Sequence, residues 1–237
     1  MRGDLRLPDG AAVVTGGAGD LGRAIVAGLR ERGVDVAALD LAENPDATLS
    51  LRCDITDPDA VGAAADRVRD ALGDVSMLVC GAGIVSTVPL AELEPAEWQR
   101  IVDVSLTGAY LACRAFVPRM PAGGAVVAIS SGLGTRGMAG GGHYAAAKAG
   151  MEALMKSVAL EYARAGVRAN ALALGPFRTK MLDDHPGVDF EERARLVPLG
   201  RLGDPEDVVG PALFLLGDHS RYVTGSVLHL SGGFTML

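Results

Sequence analysis

An unbroken apolar run, Ala11-Ala12-Val13-Val14-Thr15, leads straight into Gly16-Gly17-Ala18-Gly19-Asp20-Leu21-Gly22, and a helical pattern opens inside that turn with Leu21, Ile25 and Leu29 four residues apart. No other feature restricts the fold so strongly. A run apolar at every position suits a strand buried on both faces, and such strands belong to parallel sheets. Glycines let the backbone turn tightly and come close to a pyrophosphate, while the helix that follows offers unpaired N–H groups and the positive end of its dipole. Strand, GxGxxG turn and helix in that order raise the motif above a ligand-free glycine turn to a dinucleotide site.

The same alternation continues along the chain. Further strands are expected at 34–39, 49–53, 75–80, 126–130, 167–174 and around 227–230, and helices at 20–32, 58–72, 96–120, 143–164 and 205–216. Asp57 before Pro58 is an N-cap followed by proline at the first helical position, and Pro95 opens the 96–120 helix in the same way. The stretch 177–199, with Pro186 and Pro198 and weak periodicity, reads as an insertion over the sheet. Together these imply one α/β domain over 1–237: a Rossmann-like, doubly wound parallel sheet of about seven strands with helices on both faces.

Composition narrows the function classes. Of 237 residues 49% are hydrophobic and 22% charged, enough for a sizeable core, and the net charge of −7 leaves no basic stripe for a nucleic acid. Cys53, Cys80 and Cys113 are odd in number and far apart, which argues against a disulfide framework and for a reducing, cytoplasmic setting. The four histidines show no HExxH pairing, so no metal site is expected. The first nine residues lack the apolar run of a signal peptide, and no uncharged apolar stretch of 18 residues suggests a membrane span.

Two further groups of residues point to chemistry. Asp40 ends the second strand 18 residues past Gly22, where a carboxylate can accept bonds from ribose hydroxyls and repel a 2′-phosphate, so the cofactor expected is NAD; a simple turn residue is the alternative. Tyr144-Ala-Ala-Ala-Lys148 puts a phenol and an ammonium one helical turn apart on one face. The ammonium is expected to lower the phenol's pKa toward neutrality, fitting it to exchange a proton with an alcohol or carbonyl oxygen; a surface Lys beside a half-buried Tyr is the plain alternative. Lysine is otherwise confined to Lys156 and Lys180, and Ser130 and Ser131 end a strand at the edge where open α/β sheets bind ligands.

In order and spacing these residues resemble the short-chain dehydrogenase/reductase family over nearly the whole chain. The resemblance rests on the Thr15–Gly22 turn, Asp40, Asp54, Ala82-Gly83, Ser131, Tyr144-x-x-x-Lys148, Asn170, Gly175-Pro176 with Thr179, Pro198-Leu-Gly-Arg-Leu-Gly-Asp-Pro-Glu-Asp, Tyr222-Val-Thr-Gly-Ser and Gly232-Gly233. It implies that Tyr144 is the acid or base, that Lys148 tunes it and holds the nicotinamide ribose, and that Ser131 bonds the substrate oxygen. It also implies cofactor contacts from Thr15, Gly16, Gly19, Asp20, Leu21, Gly22, Asp40, Asp54 and Ile55 at the adenosine end, and from Ala82, Gly83, Gly175, Pro176, Phe177 and Thr179 toward the nicotinamide. A homotetramer or homodimer built by the helices starting near Ala96 and His143 follows from the same resemblance, with Met151, Leu154, Met155, Val158, Val102, Leu106 and Tyr110 on candidate faces.

The sequence departs from the family pattern at Asp20, usually glycine, at Cys80-Gly81 in place of two asparagines, at Leu174, and at Ser105, where a catalytic asparagine is usual. Asp20 could cap the helix, and Ser105 could keep a relay with altered geometry. Residues expected to face a substrate are Val85, Leu133, Met138, His143, Phe177, Met181 and Leu182, with Arg136 and Arg178 as either anion anchors or solvated surface groups. The expected reaction is the NAD(H)-dependent interconversion of a small-molecule secondary alcohol and ketone. The alternatives are a 3-oxoacyl-thioester (acyl-carrier-protein) reductase and a catalytically impaired cofactor-binding protein.

Overall fold

The computed structural model describes residues 4–183 and 190–236. Its strands are β1 (Ala11–Thr15), β2 (Val36–Asp40), β3 (Leu49–Arg52), β4 (Val75–Cys80), β5 (Ala125–Ser131), β6 (Arg168–Leu174) and β7 (Val227–Leu230). Its α-helices are α1 (Asp20–Arg30), α2 (Pro58–Leu72), α3 (Pro95–Val102), α4 (Gly108–Phe116), α5 (Leu133–Arg136), α6 (Gly142–Tyr162), α7 (Lys180–Asp183), α8 (Phe190–Arg195) and α9 (Val209–Leu216). The strands form one parallel sheet in the order β3-β2-β1-β4-β5-β6-β7. The architecture is thus the single doubly wound domain that the alternating pattern implies.

Burial explains why the central strands are apolar throughout. Along β1, Val13 packs into the core layer with α2, α4 and α6, while Ala12 and Val14 face the opposite layer with α1 and α9. Asp57 caps α2 by accepting from the N–H groups of Asp59 and Ala60, with Pro58 at the first position where no N–H is needed. At the other end of the sheet Asn170 accepts from Ser226 N–H at 3.0 Å and donates to the Val223 carbonyl, fixing the approach to β7. The sheet order reverses between β1 and β4, and the crevice at their carboxyl ends is where ligands bind in such folds.

The structure corrects the sequence reading in several places. The expected 96–120 helix is interrupted: after α3 the chain makes one wider π turn over Asp103–Thr107, resumes as α4, and tightens to a 3-10 turn at Val117–Arg119, where Pro118 cannot continue the α pattern. By length and composition Pro95–Arg119 could cross a membrane, but half of its most apolar stretch is buried in the protein. Strand β2 begins two residues late because Gly33, at φ +76°, still turns the chain. Pro205–Val208 is a 3-10 turn closed by an Asp204–Asp207 capping box before α9 begins. Pro186 and His185 lie outside the described residues.

Candidate active site

The glycine turn is crowded at every position but one. Gly16 has φ +69°, and a Cβ there would sit 2.7 Å from Ala82 N; one on Gly22 would sit 2.1 Å from the Gly16 carbonyl oxygen. At Gly19 the nearest atom would be 3.5 Å away, so this position is open. Gly19 is also the N-cap of α1 and supplies no side-chain bond to the first turn, which leaves those N–H groups available to an anion. This cradle fits a dinucleotide pyrophosphate. Asp40 stands beside it with one carboxylate oxygen accepting from Ala18 N–H at 3.0 Å and the other from Ala42 N–H at 3.1 Å. Arg23 braces the same corner through the carbonyls of Ala18 and Glu43.

Other residues singled out from the sequence take varied roles. Thr15 is buried, and its hydroxyl accepts from the N–H groups of Gly81 and Ala82, tying the ends of β1 and β4 together. Asp20 does not cap α1; its carboxylate accepts from Lys180 N–H at 2.7 Å and so links the glycine turn to α7. Asp54 is exposed and accepts from both the N–H and the hydroxyl of Thr56, which hold its carboxyl below the usual range. Ile55 is buried beside it, its side chain 2.8 Å from where a Gly108 Cβ would lie.

Ser131, Tyr144 and Lys148 converge where β5 meets α6. Burial pushes the Tyr144 phenol up, and a hydrogen bond with Ser131 pulls it partly back. The expected lowering by Lys148 is absent in the protein alone: the ammonium lies 5.7 Å from the Tyr144 ring centre and donates to the Ile129 carbonyl at 2.7 Å. Lys148 is itself buried, and desolvation lowers its pKa to about 8 against the opposing pull of Cys80 and Glu152. Glu152, a carboxylate the sequence reading passed over, is buried one turn further along α6 and accepts from Ser130 at 2.7 Å. Ser105 sits fully buried in the π turn, its hydroxyl 3.4 Å from both the N–H and the carbonyl of Ile84. A Cβ on Gly83 would lie 3.3 Å from Lys148 Nζ and 3.6 Å from Ser105 Oγ, so the three groups share one small space.

A cavity of about 700 Å³ opens above these groups. Its wall includes Gly83, Ser131, Tyr144, Lys148, Gly175, Pro176, Phe177 and Thr179, together with Val85, Leu133, Met138 and Met181. Arg136 lines it; Arg178 does not, and lies 3.9 Å from Asp204 instead. The side chain of Leu182 lies outside the described residues. His143, expected at the substrate or facing water, does neither: it is fully buried. Ser86 donates to Glu97 at 2.5 Å and therefore accepts from His143 Nε2–H at 2.8 Å, while Arg100 grips the same carboxylate and holds it down to about 2. This chain of bonds ties the start of α6 to the loop after β4. Missed from the sequence were Arg193, Leu196, Phe234 and Thr235 on the cavity wall. The signal was present in Gly232-Gly233, whose φ values of +60° and +90° turn the tail back over the site.

A turn shaped for a dinucleotide and a hydroxyl, phenol and ammonium beside an apolar cavity define a nicotinamide-dependent oxidoreductase on a Rossmann-like sheet. Comparison with known proteins agrees. A family model described as enoyl-(acyl-carrier-protein) reductase matches residues 16–235. The chain is 38% identical to cis-4-hydroxycyclohexanecarboxylate dehydrogenase of Sinomonas cyclohexanicum, covering 94% of this chain and 96% of that one. It is 40% identical to acetoacetyl-CoA reductase of a Synechocystis strain, covering 96% and 97%. Among solved structures, ligand-free aldohexose dehydrogenase of Thermoplasma acidophilum superposes with a TM-score of 0.89 at 30% identity, covering 95% of this chain and 94% of that one. The protein belongs to the short-chain dehydrogenase/reductase family, and it is an oxidoreductase acting on CH–OH and C=O groups.

Proposed function

We propose that the protein is an NAD(H)-dependent dehydrogenase that interconverts a secondary alcohol and a ketone. The observation that carries this reading is the convergence of Ser131 and Tyr144 on the cavity wall with the Lys148 ammonium buried behind them. A bound nicotinamide supplies or takes the hydride. Tyr144 Oη passes a proton to the developing alkoxide, or takes one from the alcohol, and Ser131 orients the reacting oxygen. Lys148, held by the Ile129 carbonyl at 2.7 Å, keeps a positive charge behind the phenol at the cavity wall. Gly16, Gly19, Leu21 and Gly22 would receive the pyrophosphate, Asp40 the adenosine ribose, Asp54 and Ile55 the adenine, and Ala82, Gly83, Phe177 and Thr179 the nicotinamide half.

NAD is favoured over NADP because the Asp40 carboxylate occupies the corner that a 2′-phosphate would enter, and the residue after it is Leu41 rather than a cation. Similarity to acetoacetyl-CoA reductase favours a second reading, reduction of a 3-oxoacyl thioester; Asp40 weighs against NADPH as its reductant, and the net charge of −7 against an acidic carrier protein as partner. We place the enzyme in the cytoplasm as a homodimer or homotetramer. Met151, Met155 and Val158 are taken up by the protein's own core, so the exposed apolar groups left for such contacts are Tyr110 and Leu160 on α4 and α6 and Trp98 on α3. Turnover of a panel of secondary alcohols and 3-oxoacyl thioesters with NAD(H) and NADP(H) tests the assignment: oxidation of simple alcohols with NAD supports it, and activity confined to thioesters with NADPH overturns it.

A further inference from the structure

Arg136 is exposed at the cavity mouth, but the returning tail fixes its position there. It ends the short helix α5, five residues past Ser131, and its guanidinium lies 4.5 Å from the centre of the Phe234 ring. It also reaches the Phe234 carbonyl at 3.5 Å, so the returning tail holds it flat at the cavity rim. Stacking fixes the plane of the guanidinium and leaves its N–H edge free to form the paired bonds that suit a carboxylate. No carboxylate within the described residues forms an ion pair with it. The same wall holds Thr235, which is only 7% exposed and whose hydroxyl, packed against Gly132, has no hydrogen-bond partner. A buried hydroxyl without a partner among the described residues, on the same cavity wall as the cation, calls for an explanation, and turning toward a ligand oxygen supplies one.

The charges around the cavity set the sign of that ligand's charge. Among the described residues Arg136, Arg193 and Lys148 line it with one carboxylate, Glu192, so the cavity carries an excess of positive charge that favours an anionic ligand. The same wall includes the apolar side chains of Val85, Leu133, Met138 and Phe177.

We propose that the substrate is a secondary alcohol, or its ketone, with an apolar body and a remote carboxylate, and that Arg136, stacked on Phe234 with Thr235 beside it, is the subsite for that carboxylate. The inference rests on the alcohol dehydrogenase reading and adds the substrate class to it. Two measurements on the full-length enzyme separate them. In the first, kcat/KM is compared for matched pairs, 4-hydroxycyclohexanecarboxylate against 4-methylcyclohexanol and 3-hydroxyoctanoate against 2-heptanol, with NAD and NADP each supplied. The acid of at least one pair should be favoured about 30-fold or more, through KM; Arg136→Gln should cut that ratio by about tenfold, Arg136→Lys by less, and Thr235→Val by about threefold. In the second, cyclohexanecarboxylate is titrated calorimetrically into the enzyme with cofactor, and binding should weaken about tenfold or more in Arg136→Gln. Equal kcat/KM within every pair, or a ratio and an affinity that Arg136→Gln leaves at wild-type values, overturns the subsite. Arg136-dependent binding of the carboxylate without oxidation of any alcohol overturns the dehydrogenase reading and keeps the subsite.

Discussion

Replacing Lys148 with Met should stabilise the cofactor-free protein at neutral pH while disabling it. The lysine pKa falls from 10.5 in the unfolded chain to about 8 in the fold, because desolvation outweighs the attraction of Cys80 and Glu152. Below pH 8 both states are protonated, and the folded state bears the cost of a buried charge, about 3 kcal/mol. Met has nearly the same shape and no charge, but it leaves the Ile129 carbonyl without its 2.7 Å donor, a loss of about 1 kcal/mol. The expected net gain is about 2 kcal/mol at pH 7. The sign reverses with pH: the wild type binds fewer protons folded than unfolded between about 8 and 10.5, so its stability rises by about 1.4 kcal/mol for each pH step of one across that window. The variant's advantage should therefore be full below pH 8 and gone by about pH 9.5. Urea melts of both cofactor-free proteins at pH 7.0 and 9.5 measure it. A variant less stable than wild type at pH 7, or a difference that does not change between the two pH values, would refute the reasoning.

Asp40→Ala with Leu41→Arg removes the carboxylate that would face a 2′-phosphate and adds a partner for it. The repulsion and lost ribose bonds are worth roughly 2 to 4 kcal/mol, so a wild-type preference for NAD of about 30- to 1,000-fold in kcat/KM should shrink or invert. A wild type that uses both cofactors equally would show that Asp40 does not meet the ribose. Ser105→Asn should keep the fold and change kcat by about tenfold or less, the scale of one rearranged hydrogen bond beside Lys148, whereas complete loss would reveal a specific task for the serine. Sedimentation at micromolar concentration should show a dimer or tetramer, and a monomer would leave Tyr110 and Leu160 without the partner assigned to them.

The parts of the fold that depend on local pattern were legible in the sequence. Apolar runs such as Ala125–Ser131 are buried from end to end, and Asp57-Pro58 starts α2 at the residue the capping chemistry selects. What stayed hidden depended on contacts distant in sequence. The π turn at Ser105 replaces part of a helix that periodicity alone reads as continuous, and it lies where Gly108 packs against Ile55. Its place beside Tyr144 left His143 open as a substrate contact or a residue facing water, yet it is buried and bonded to Ser86, which in turn binds Glu97, residues some fifty positions earlier. The tail's return over the cavity was foreshadowed by Gly232-Gly233, but nothing local says that Phe234 will meet Arg136. The phenol shows the limit of pairwise spacing: four residues put Lys148 on the face of Tyr144, and burial then outweighs the charge.

The most direct test of the central claim, that Tyr144 Oη carries the proton of an alcohol–ketone exchange, is to measure turnover and cofactor affinity together in Tyr144→Phe. The substitution removes one oxygen from a buried ring and leaves the glycine turn and Asp40 untouched. Turnover of the best secondary alcohol should fall by about a thousandfold or more, while the dissociation constant for NADH stays within about threefold of wild type. Retention of a tenth or more of the activity would contradict the account.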